Sequence, residues 1–286
     1  MNASRKVLIA GCGYVGSALA LRLAEEGHAV TTLQRSQREL GPGISAVRAD
    51  LVSGEGLEQI AGEFDTVYYT VGADTFSEQA YRDAYVVGLR NLVAGLAAKG
   101  VRPRVIYTSS TGVYAQDGGE WVDESSETRP EKFSGRVLLE GETALRESGL
   151  ESVVVRFAGI YGPGRSRLID QVRSGTAYVL AGRTQYLNLI HRDDCAGMLR
   201  NLMLLPNPAP LYVGVDDAPM ERAELLRWLA ERMGAPAPRE LPEGAAPDPQ
   251  RGGNRRASNA LLRASGYAFQ YPDARAGYGA MLDAGL

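Results

Sequence analysis

The sequence predicts an α/β protein built on a doubly wound parallel sheet, with a smaller C-terminal lobe that would hold a substrate. Two observations carry this prediction: apolar strand-like runs alternate with helical repeats through the first half of the chain, and a glycine-rich turn joins the first run to the first helix. Right-handed crossovers place each helix against the sheet, so repeated alternation gives helices on both faces. The 286 residues suffice for one large domain with a smaller appended part.

The first turn has the pattern G-x-G-x-x-G. The apolar run 6–10 leads into Gly11, Gly13 and Gly16, and a helical apolar repeat follows as far as Gly27. Gly11 permits a tight turn, Gly13 lets a ligand approach the backbone, and Gly16 lets the helix pack on the strand. A purely structural glycine turn is the alternative, but the strand–glycine–helix order favours a pyrophosphate bound at the helix start. The residues predicted to contact this dinucleotide are Gly11, Cys12, Gly13, Tyr14, Val15 and Gly16.

Further elements follow in alternation. Strands are predicted over 29–35, 46–49, 66–71, 104–108 and 152–157. Helices are predicted over 81–99 and 134–148. Together with the first strand and helix, these elements form the Rossmann-like sheet domain.

Beyond residue 158 the alternation breaks. A loop over 161–164 precedes a strand over 186–190, a helix that Asp193 or Asp194 caps, a strand over 211–215 and an amphipathic helix over 221–233. Residues 235–256 are predicted to be mostly loop, and Ser258 or Asn259 caps a final short helix that ends near residue 266. We therefore expect residues 1–158, completed by about 187–234, to form the cofactor domain. Residues 159–186 and 235–286 would form the substrate lobe.

Composition and charge indicate which classes of binding partner to expect. The formal net charge of −3 gives no reason to expect nucleic acid or an anionic membrane. No apolar run approaches the about 20 residues that a membrane span needs, and the first residues lack the apolar core of a signal peptide. Two cysteines, Cys12 and Cys195, do not make a disulfide framework. We expect a cytoplasmic protein that acts on a small molecule without a metal.

The end of the second strand bears on the choice of coenzyme. NAD-preferring sites carry a carboxylate there for the ribose 2′-hydroxyl, but this stretch has none before Glu39. Arg35 offers a planar fork of donors to a 2′-phosphate, with Ser36 and Arg38 helping, so we expect NADP(H) to be preferred over NAD(H). Solvated loop arginines are the alternative. Asp50, after the third strand, is a candidate adenine contact or the cap of the next turn.

Three longer motifs carry a family resemblance. They are IYTSSTGVY over 106–114, RFAGIYGPG over 156–164 and LIHRDD over 189–194. With the glycine turn they span nearly the whole chain, which resembles the extended short-chain dehydrogenase/reductase family of sugar-nucleotide epimerases and dehydratases. More narrowly, the chain is similar to the atypical NAD-dependent epimerase/dehydratase-like members with G-x-G-x-x-G. The resemblance implies that Thr108 and Ser109 contact the cofactor.

The resemblance also implies a proton relay, and the chain departs from it. Active relatives use a tyrosine, a lysine four residues later that lowers the tyrosine pKa, a serine or threonine, and a supporting asparagine. The serine position is kept as Ser110. The tyrosine, lysine and asparagine positions fall on Phe133, Val137 and Tyr85. No tyrosine has a lysine four residues on, so the usual relay is not available.

Other side chains are left as candidates for chemistry. Ser110, Tyr114 and Tyr161 are predicted catalytic residues, although Tyr114 fits packing first. His191 fits a structural hydrogen bond better than catalysis. Arg156 is either a buried pair-maker or a substrate-phosphate ligand. In relatives the loop near residue 251 grips a substrate diphosphate, and the matching candidates, which could equally be solvated, are Arg251, Arg255 and Arg256.

Two functions compete at this stage. The first is an NADP(H)-dependent oxidoreductase or epimerase-like enzyme that acts on a carbonyl compound or sugar nucleotide with a rearranged relay. The second is a non-catalytic NADP(H)-binding sensor or regulatory protein, which the joint loss of tyrosine, lysine and asparagine favours. Relatives often dimerise through two helices, which here correspond to 81–99 and 134–148, so a homodimer is possible and the sequence leaves the oligomeric state open.

Overall fold

The computed structural model describes residues 3–36, 38–242 and 253–285, and Arg251 therefore lies outside the described residues. The strands are β1 (Lys6–Ala10), β2 (Ala29–Gln34), β3 (Ile44–Arg48), β4 (Thr66–Tyr69), β5 (Arg104–Ser110), β6 (Glu120–Val122), β7 (Ser152–Phe157), β8 (Gly159–Tyr161), β9 (Tyr178–Leu180), β10 (Tyr186–Leu187), β11 (Leu189–His191), β12 (Leu211–Gly214), β13 (Met220–Glu221), β14 (Arg239–Leu241) and β15 (Arg255–Ala257). The helices are α1 (Tyr14–Glu25), α2 (Glu78–Arg82), α3 (Gly88–Ala98), α4 (Phe133–Glu147), α5 (Arg167–Arg173), α6 (Arg192–Leu204), α7 (Arg222–Met233), α8 (Ala260–Ala264) and α9 (Ala274–Asp283).

A central sheet confirms the predicted fold class. Within the described residues it has seven strands in the order β12-β7-β5-β4-β1-β2-β3. The pairs β1–β2, β2–β3, β1–β4 and β4–β5 are all parallel. Ala10, at the end of β1, pairs with Leu33 on one side and Tyr69 on the other. The chain order reverses beside β1, which is the switch point where open α/β sheets bind ligands at the carboxyl ends of their strands.

The chain divides into two compact units, and the division differs from the expected one. The first unit comprises 1–113, 129–156 and 196–212, and the second comprises 114–128, 157–195 and 213–286. The amphipathic helix over 221–233 is expected from the sequence to belong to the cofactor domain. Instead, Leu225, Leu226 and Leu229 of α7 pack in the second unit with Ile169 and Val172 of α5. The apolar face was predicted correctly, but its partner lies in the other unit.

The predicted helix 81–99 is interrupted in the first unit by a π-helical turn, Asp83–Val87. Two tyrosine hydroxyls from the sheet donate to carbonyls of that turn. Tyr69 bonds the oxygen of Ala84 over 2.5 Å, and Tyr107 bonds that of Tyr85 over 3.4 Å. Single π turns arise where side chains insert into the helical hydrogen-bond ladder. Buried tyrosines in β4 and β5 therefore set the shape of this segment.

The second unit contains a helix that the sequence analysis did not predict. Asn259 precedes α8, but its side chain makes no capping hydrogen bond to that helix. Past α8, α9 begins after Asp273, whose side chain accepts from the backbone N–H of Ala276 over 2.8 Å. Gly277 and Gly279 weaken its helical signal, because glycine is a poor helix former. A Cβ at residue 277 would collide with the ring of Tyr161, so that glycine is needed for packing. None of the described helices is long and apolar enough to cross a membrane.

Candidate cofactor site

The glycine turn has the geometry that its three glycines predict. Gly11 adopts a φ of +93°, and a Cβ there would lie 2.7 Å from the backbone nitrogen of Val71. At residue 16 a Cβ would collide with the carbonyl oxygen of Gly11. A Cβ at Gly13, by contrast, would meet no atom within 4 Å. Gly11 and Gly16 are therefore required by the fold, whereas Gly13 leaves open space in front of the helix start.

The start of α1 suits a bound phosphate. Gly13 precedes its first residue, and the described first turn contains no acidic side chain. Two side-chain hydroxyls stabilise the turn. Thr70 donates to the backbone oxygen of Gly11 over 2.6 Å, and Ser17 donates to the backbone oxygen of Cys12 over 2.8 Å. The amides of the first turn thus present a partial positive charge with no competing carboxylate on the helix.

A cavity of about 500 Å³ adjoins this turn in the first unit. Its walls come from the carboxyl ends of β1, β2 and β4, the loop after β3 and the start of the π turn. The lining residues are Gly11, Cys12, Gly13, Leu33, Gln34, Arg35, Ser36, Arg38, Ala49, Asp50, Leu51, Val52, Thr70, Val71, Gly72, Asp74, Ala80, Asp83 and Ala84. Seven predicted cofactor contacts therefore share one space: Gly11, Cys12, Gly13, Arg35, Ser36, Arg38 and Asp50. The other predicted cofactor contacts, which are Tyr14, Val15, Gly16, Thr108 and Ser109, are not among its walls.

Arg35 meets a carboxylate that the sequence analysis missed. Its guanidinium donates to both oxygens of Asp74, at 2.6 and 2.7 Å. Both side chains are exposed, at 64% and 62%. The hydrogen bonds from Arg35 lower the pKa of Asp74, so the pair is ionic at neutral pH. The signal was available in part, because Asp74 follows β4 and therefore lies at the same edge of the sheet as the glycine turn.

The loop after β2 is held in place by Gln34. This buried side chain donates to Thr32 and to the backbone oxygen of Arg38, and it accepts from the backbone N–H of Arg38. Arg38 in turn donates to the carbonyl of Cys12 over 3.0 Å. Burial raises the pKa of the Cys12 thiol to about 11, so it is protonated. The position where NAD-preferring sites carry a carboxylate thus holds an amide that shapes the loop.

Asp50 caps the turn that follows β3. One of its carboxylate oxygens accepts from the backbone N–H groups of Val52 and Ser53, at 2.7 and 3.1 Å. One oxygen of Asp50 therefore caps the turn, as the second alternative predicts. The residue also lines the cavity, so a contact with the adenine stays a prediction.

The end of β5 carries the predicted serines. Thr108 donates to the backbone oxygen of Tyr69 over 3.0 Å, and Ser110 accepts from the N–H of Gly112 over 3.1 Å. The hydroxyl of Ser109 is buried and donates to Glu142 over 2.6 Å, so it faces α4. Arg156 also bonds Glu142, which makes it a buried pair-maker. Glu142 is a site residue that was not predicted from the sequence, because it shares the buried face of α4 with apolar residues.

The three positions that depart from the family pattern are all engaged in packing in the first unit. Phe133 begins α4 and lies 5.0 Å from Phe76 and 5.5 Å from Tyr81, measured between ring centroids. Val137, one turn later, is buried. Tyr85 sits in the π turn, where burial raises its pKa. These positions offer no cation that would lower the pKa of a hydroxyl.

Two predicted catalytic tyrosines belong to the second unit. Tyr114 is buried, and its hydroxyl donates to the backbone oxygen of Asp123 over 2.7 Å. Tyr161 is buried and stacks on Tyr278 with centroids 4.3 Å apart. Its hydroxyl has no hydrogen-bond partner among the described residues, and burial raises its pKa far above the usual value. Both environments suit packing, so a proton-transfer role for either tyrosine stays a prediction that the geometry does not favour.

His191 and the loop arginines of the second unit are also engaged. His191 is buried and accepts from the backbone N–H of Asp193 over 3.2 Å, and burial lowers its pKa, so it is neutral at pH 7. Arg255 is buried and donates to backbone oxygens of Tyr114 and Gln116. Arg256 lies over the rings of Trp121 and Tyr186, about 5 Å from each centroid. The described residues form no cluster that could hold a metal ion.

Comparison with known proteins agrees with this geometry. A model of the NAD dependent epimerase/dehydratase family matches residues 7–209. A solved putative NAD-dependent epimerase/dehydratase from Methylobacillus flagellatus is 38% identical, with a TM-score of 0.81 over 99% of both chains. Protein YeeZ of Escherichia coli (strain K12) is 28% identical over 94% of this chain and 97% of its own. A human epimerase family protein solved with NADPH shares the fold, with a TM-score of 0.80 at 20% identity over 97% of this chain and 99% of that chain.

Proposed function

The chain belongs to the NAD dependent epimerase/dehydratase family, and from this premise we propose an NADP(H)-dependent oxidoreductase or epimerase-like enzyme for a carbonyl compound or sugar nucleotide. The observation that carries the proposal is the cavity in the first unit, whose walls include both the glycine turn and Arg35. This pairing puts amide donors for a diphosphate and a guanidinium for a further phosphate around one space.

The residues present fit a dinucleotide. Gly13 leaves room for a phosphate at the start of α1, and Thr70 fixes the turn that presents the amides. A 2′-phosphate would find Arg35, Ser36 and Arg38 along the loop after β2. The buried amide of Gln34 offers no charge against that phosphate. Proteins of similar fold were solved with either coenzyme, the human epimerase family protein with NADPH and MoeE5 with NAD, so they support a dinucleotide here and leave the preference to the residues around Arg35.

The protein would contribute to the reaction by orienting the substrate carbonyl and stabilising charge on its oxygen. Bound NADPH would supply a hydride for a carbonyl carbon, and the resulting alkoxide oxygen would take its proton from solvent water. Ser110, at the end of β5, would donate a hydrogen bond to the carbonyl oxygen as negative charge develops there. Phe133 and Val137 carry no transferable proton. Of the side chains in the family's proton relay, this chain keeps only the serine, as Ser110.

A second candidate function is a non-catalytic NADP(H)-binding sensor. It is favoured by the packing at the altered positions, since Val137 is only 1% exposed and Phe133 is part of an aromatic cluster. Such a protein would bind the coenzyme tightly, turn over no substrate and change a partner's affinity when the coenzyme binds.

Two measurements distinguish the enzyme from the non-catalytic sensor. Calorimetry with NADPH and NADH gives the two dissociation constants, and the absorbance of NADPH at about 340 nm reports turnover with a panel of carbonyl compounds and nucleotide sugars. Tighter NADPH binding with turnover supports the enzyme. Tight binding without turnover across the panel favours the sensor, equal affinities overturn the coenzyme preference, and no heat with either coenzyme overturns both candidates.

A further inference from the structure

The ion pair of Arg35 and Asp74 crosses the crevice at the switch point of the sheet. Arg35 directly follows β2, Asp74 lies in the loop after β4, and β1 runs between these two strands. Neighbouring strands are about 4.8 Å apart, so β2 and β4 are separated by roughly 10 Å. The ion pair therefore closes over the end of β1, where the glycine turn begins. Both residues line the same cavity.

The pair has good geometry but no burial. Its two N–H···O contacts of 2.6 and 2.7 Å have the fork-to-fork form that suits arginine and a carboxylate. More than 60% of each side chain is exposed, and exposed ion pairs contribute little net stability. A stronger anion that enters the cavity can therefore take the guanidinium from Asp74. A phosphate monoester has nearly two negative charges and three acceptor oxygens, whereas a ribose hydroxyl has no charge.

We propose that Asp74 sets the strength of the coenzyme preference, because it competes with the 2′-phosphate of NADP(H) for Arg35. This inference rests on the proposed NADP(H) binding. NADPH must displace the carboxylate before it gains the guanidinium, and the displaced carboxylate remains close to the phosphate. NADH makes no such exchange, so its affinity is nearly independent of Asp74. Asp74 thus holds the selectivity below the value that Arg35 alone would give.

Another carboxylate in the cavity wall provides a matched control. Asp83 begins the π turn, lines the same cavity, and accepts from the side chain of Gln79 over 2.8 Å. Substitution of Asp83 removes one negative charge from the cavity without touching Arg35. Any effect that is specific to residue 74 therefore comes from the competition and not from the general charge of the cavity.

The test measures dissociation constants of the full-length chain for NADPH and NADH, by quenching or energy transfer of nicotinamide fluorescence. Asp74→Asn is expected to bind NADPH at least about threefold more tightly, with a smaller change for NADH and for Asp83→Asn. A smaller gain, weaker NADPH binding, or an equal gain in Asp83→Asn overturns the inference. Equal affinities of the wild-type chain for the two coenzymes overturn the proposed preference instead. Thermal unfolding confirms that both variants remain folded.

Discussion

Ser109 and Glu142 are joined by a buried hydrogen bond, in which the serine hydroxyl donates to the carboxylate over 2.6 Å. Arg156 donates to both oxygens of the same carboxylate, at 3.0 and 2.7 Å. All three residues are less than 10% exposed. The network ties β5, α4 and β7 together one residue before Ser110, so it positions the hydroxyl that the proposed chemistry uses.

Neutralising Glu142 should destabilise the protein, because it leaves the Arg156 guanidinium buried without its counter-charge. We expect Glu142→Gln to lower the free energy of unfolding by about 3 kcal/mol, measured by urea titration. The matched control is Glu140→Gln on the same helix, which breaks a half-exposed pair with Arg82 and should cost less than about 1 kcal/mol. Similar losses in the two variants would show that the buried network is not special.

The glycines of the first turn should separate binding from folding. Gly13→Ala is expected to keep the wild-type unfolding temperature, since its Cβ meets no protein atom, yet to weaken NADPH binding at least about tenfold because the Cβ fills space left for the phosphate. Gly16→Ala should instead destabilise the fold by more than about 2 kcal/mol, because its Cβ collides with the oxygen of Gly11. Calorimetry and thermal unfolding of both variants check the contrast. Unchanged NADPH affinity in a folded Gly13→Ala chain would mean that no ligand approaches there.

The sheet could be predicted from the sequence because the signal for each strand is local. A strand buried on both faces is rich in apolar residues, as in β7, where Val153, Val155 and Phe157 are buried, and the predicted bounds of 152–157 match the structure. The glycine turn is equally local, since a positive φ at Gly11 and close contact at Gly16 restrict those positions to glycine. These features depend on a few neighbouring residues and one strand–turn–helix geometry.

Apart from α9, whose glycines weaken its local helical signal, the missed features depend on contacts between residues far apart in the chain. Asp74 matters because its loop reaches Arg35 across β1, and sequence spacing does not report that distance. The π turn depends on Tyr69 and Tyr107 hydroxyls that come from two strands. The apolar face of α7 was clear from its period, but a helical period does not say which unit the face will contact.

Asp216 should make the stability of the second unit depend on pH. It is buried, and burial first, then the nearby charges of Asp273, Asp217 and Asp194, raises its pKa to about 8 from 3.8. Between about pH 4 and pH 8 the folded chain retains this proton while the unfolded chain loses it. The stabilisation that comes from the protonated Asp216 is therefore fully present below pH 4. Above pH 4 the free energy of unfolding falls as pH rises, by up to about 1.4 kcal/mol per pH unit.

Replacement of Asp216 isolates its share of this dependence. Urea unfolding at pH 5 and pH 7 should show the wild-type chain losing about 3 kcal/mol more than Asp216→Asn over that interval, since asparagine does not titrate. Other titrating groups are common to both proteins and cancel in the comparison. Identical pH dependence of the two proteins would mean that the carboxyl group ionises normally in the folded chain.

Removal of the side-chain hydroxyl should lower the rate of NADPH oxidation at Ser110 and leave it nearly unchanged at Tyr161. Ser110 lies at the exit of β5, and Ser110→Ala should lower the rate of NADPH oxidation at least about tenfold with any accepted carbonyl substrate, because a donor to the developing oxyanion is lost. Tyr161→Phe should leave that rate within about twofold and should not reduce stability, because the buried hydroxyl has no partner among the described residues. Coenzyme affinity, measured beside the rates, should be unchanged in both variants. A Tyr161→Phe variant that binds NADPH but no longer oxidises it would show that Tyr161 transfers a proton, although its hydroxyl is buried.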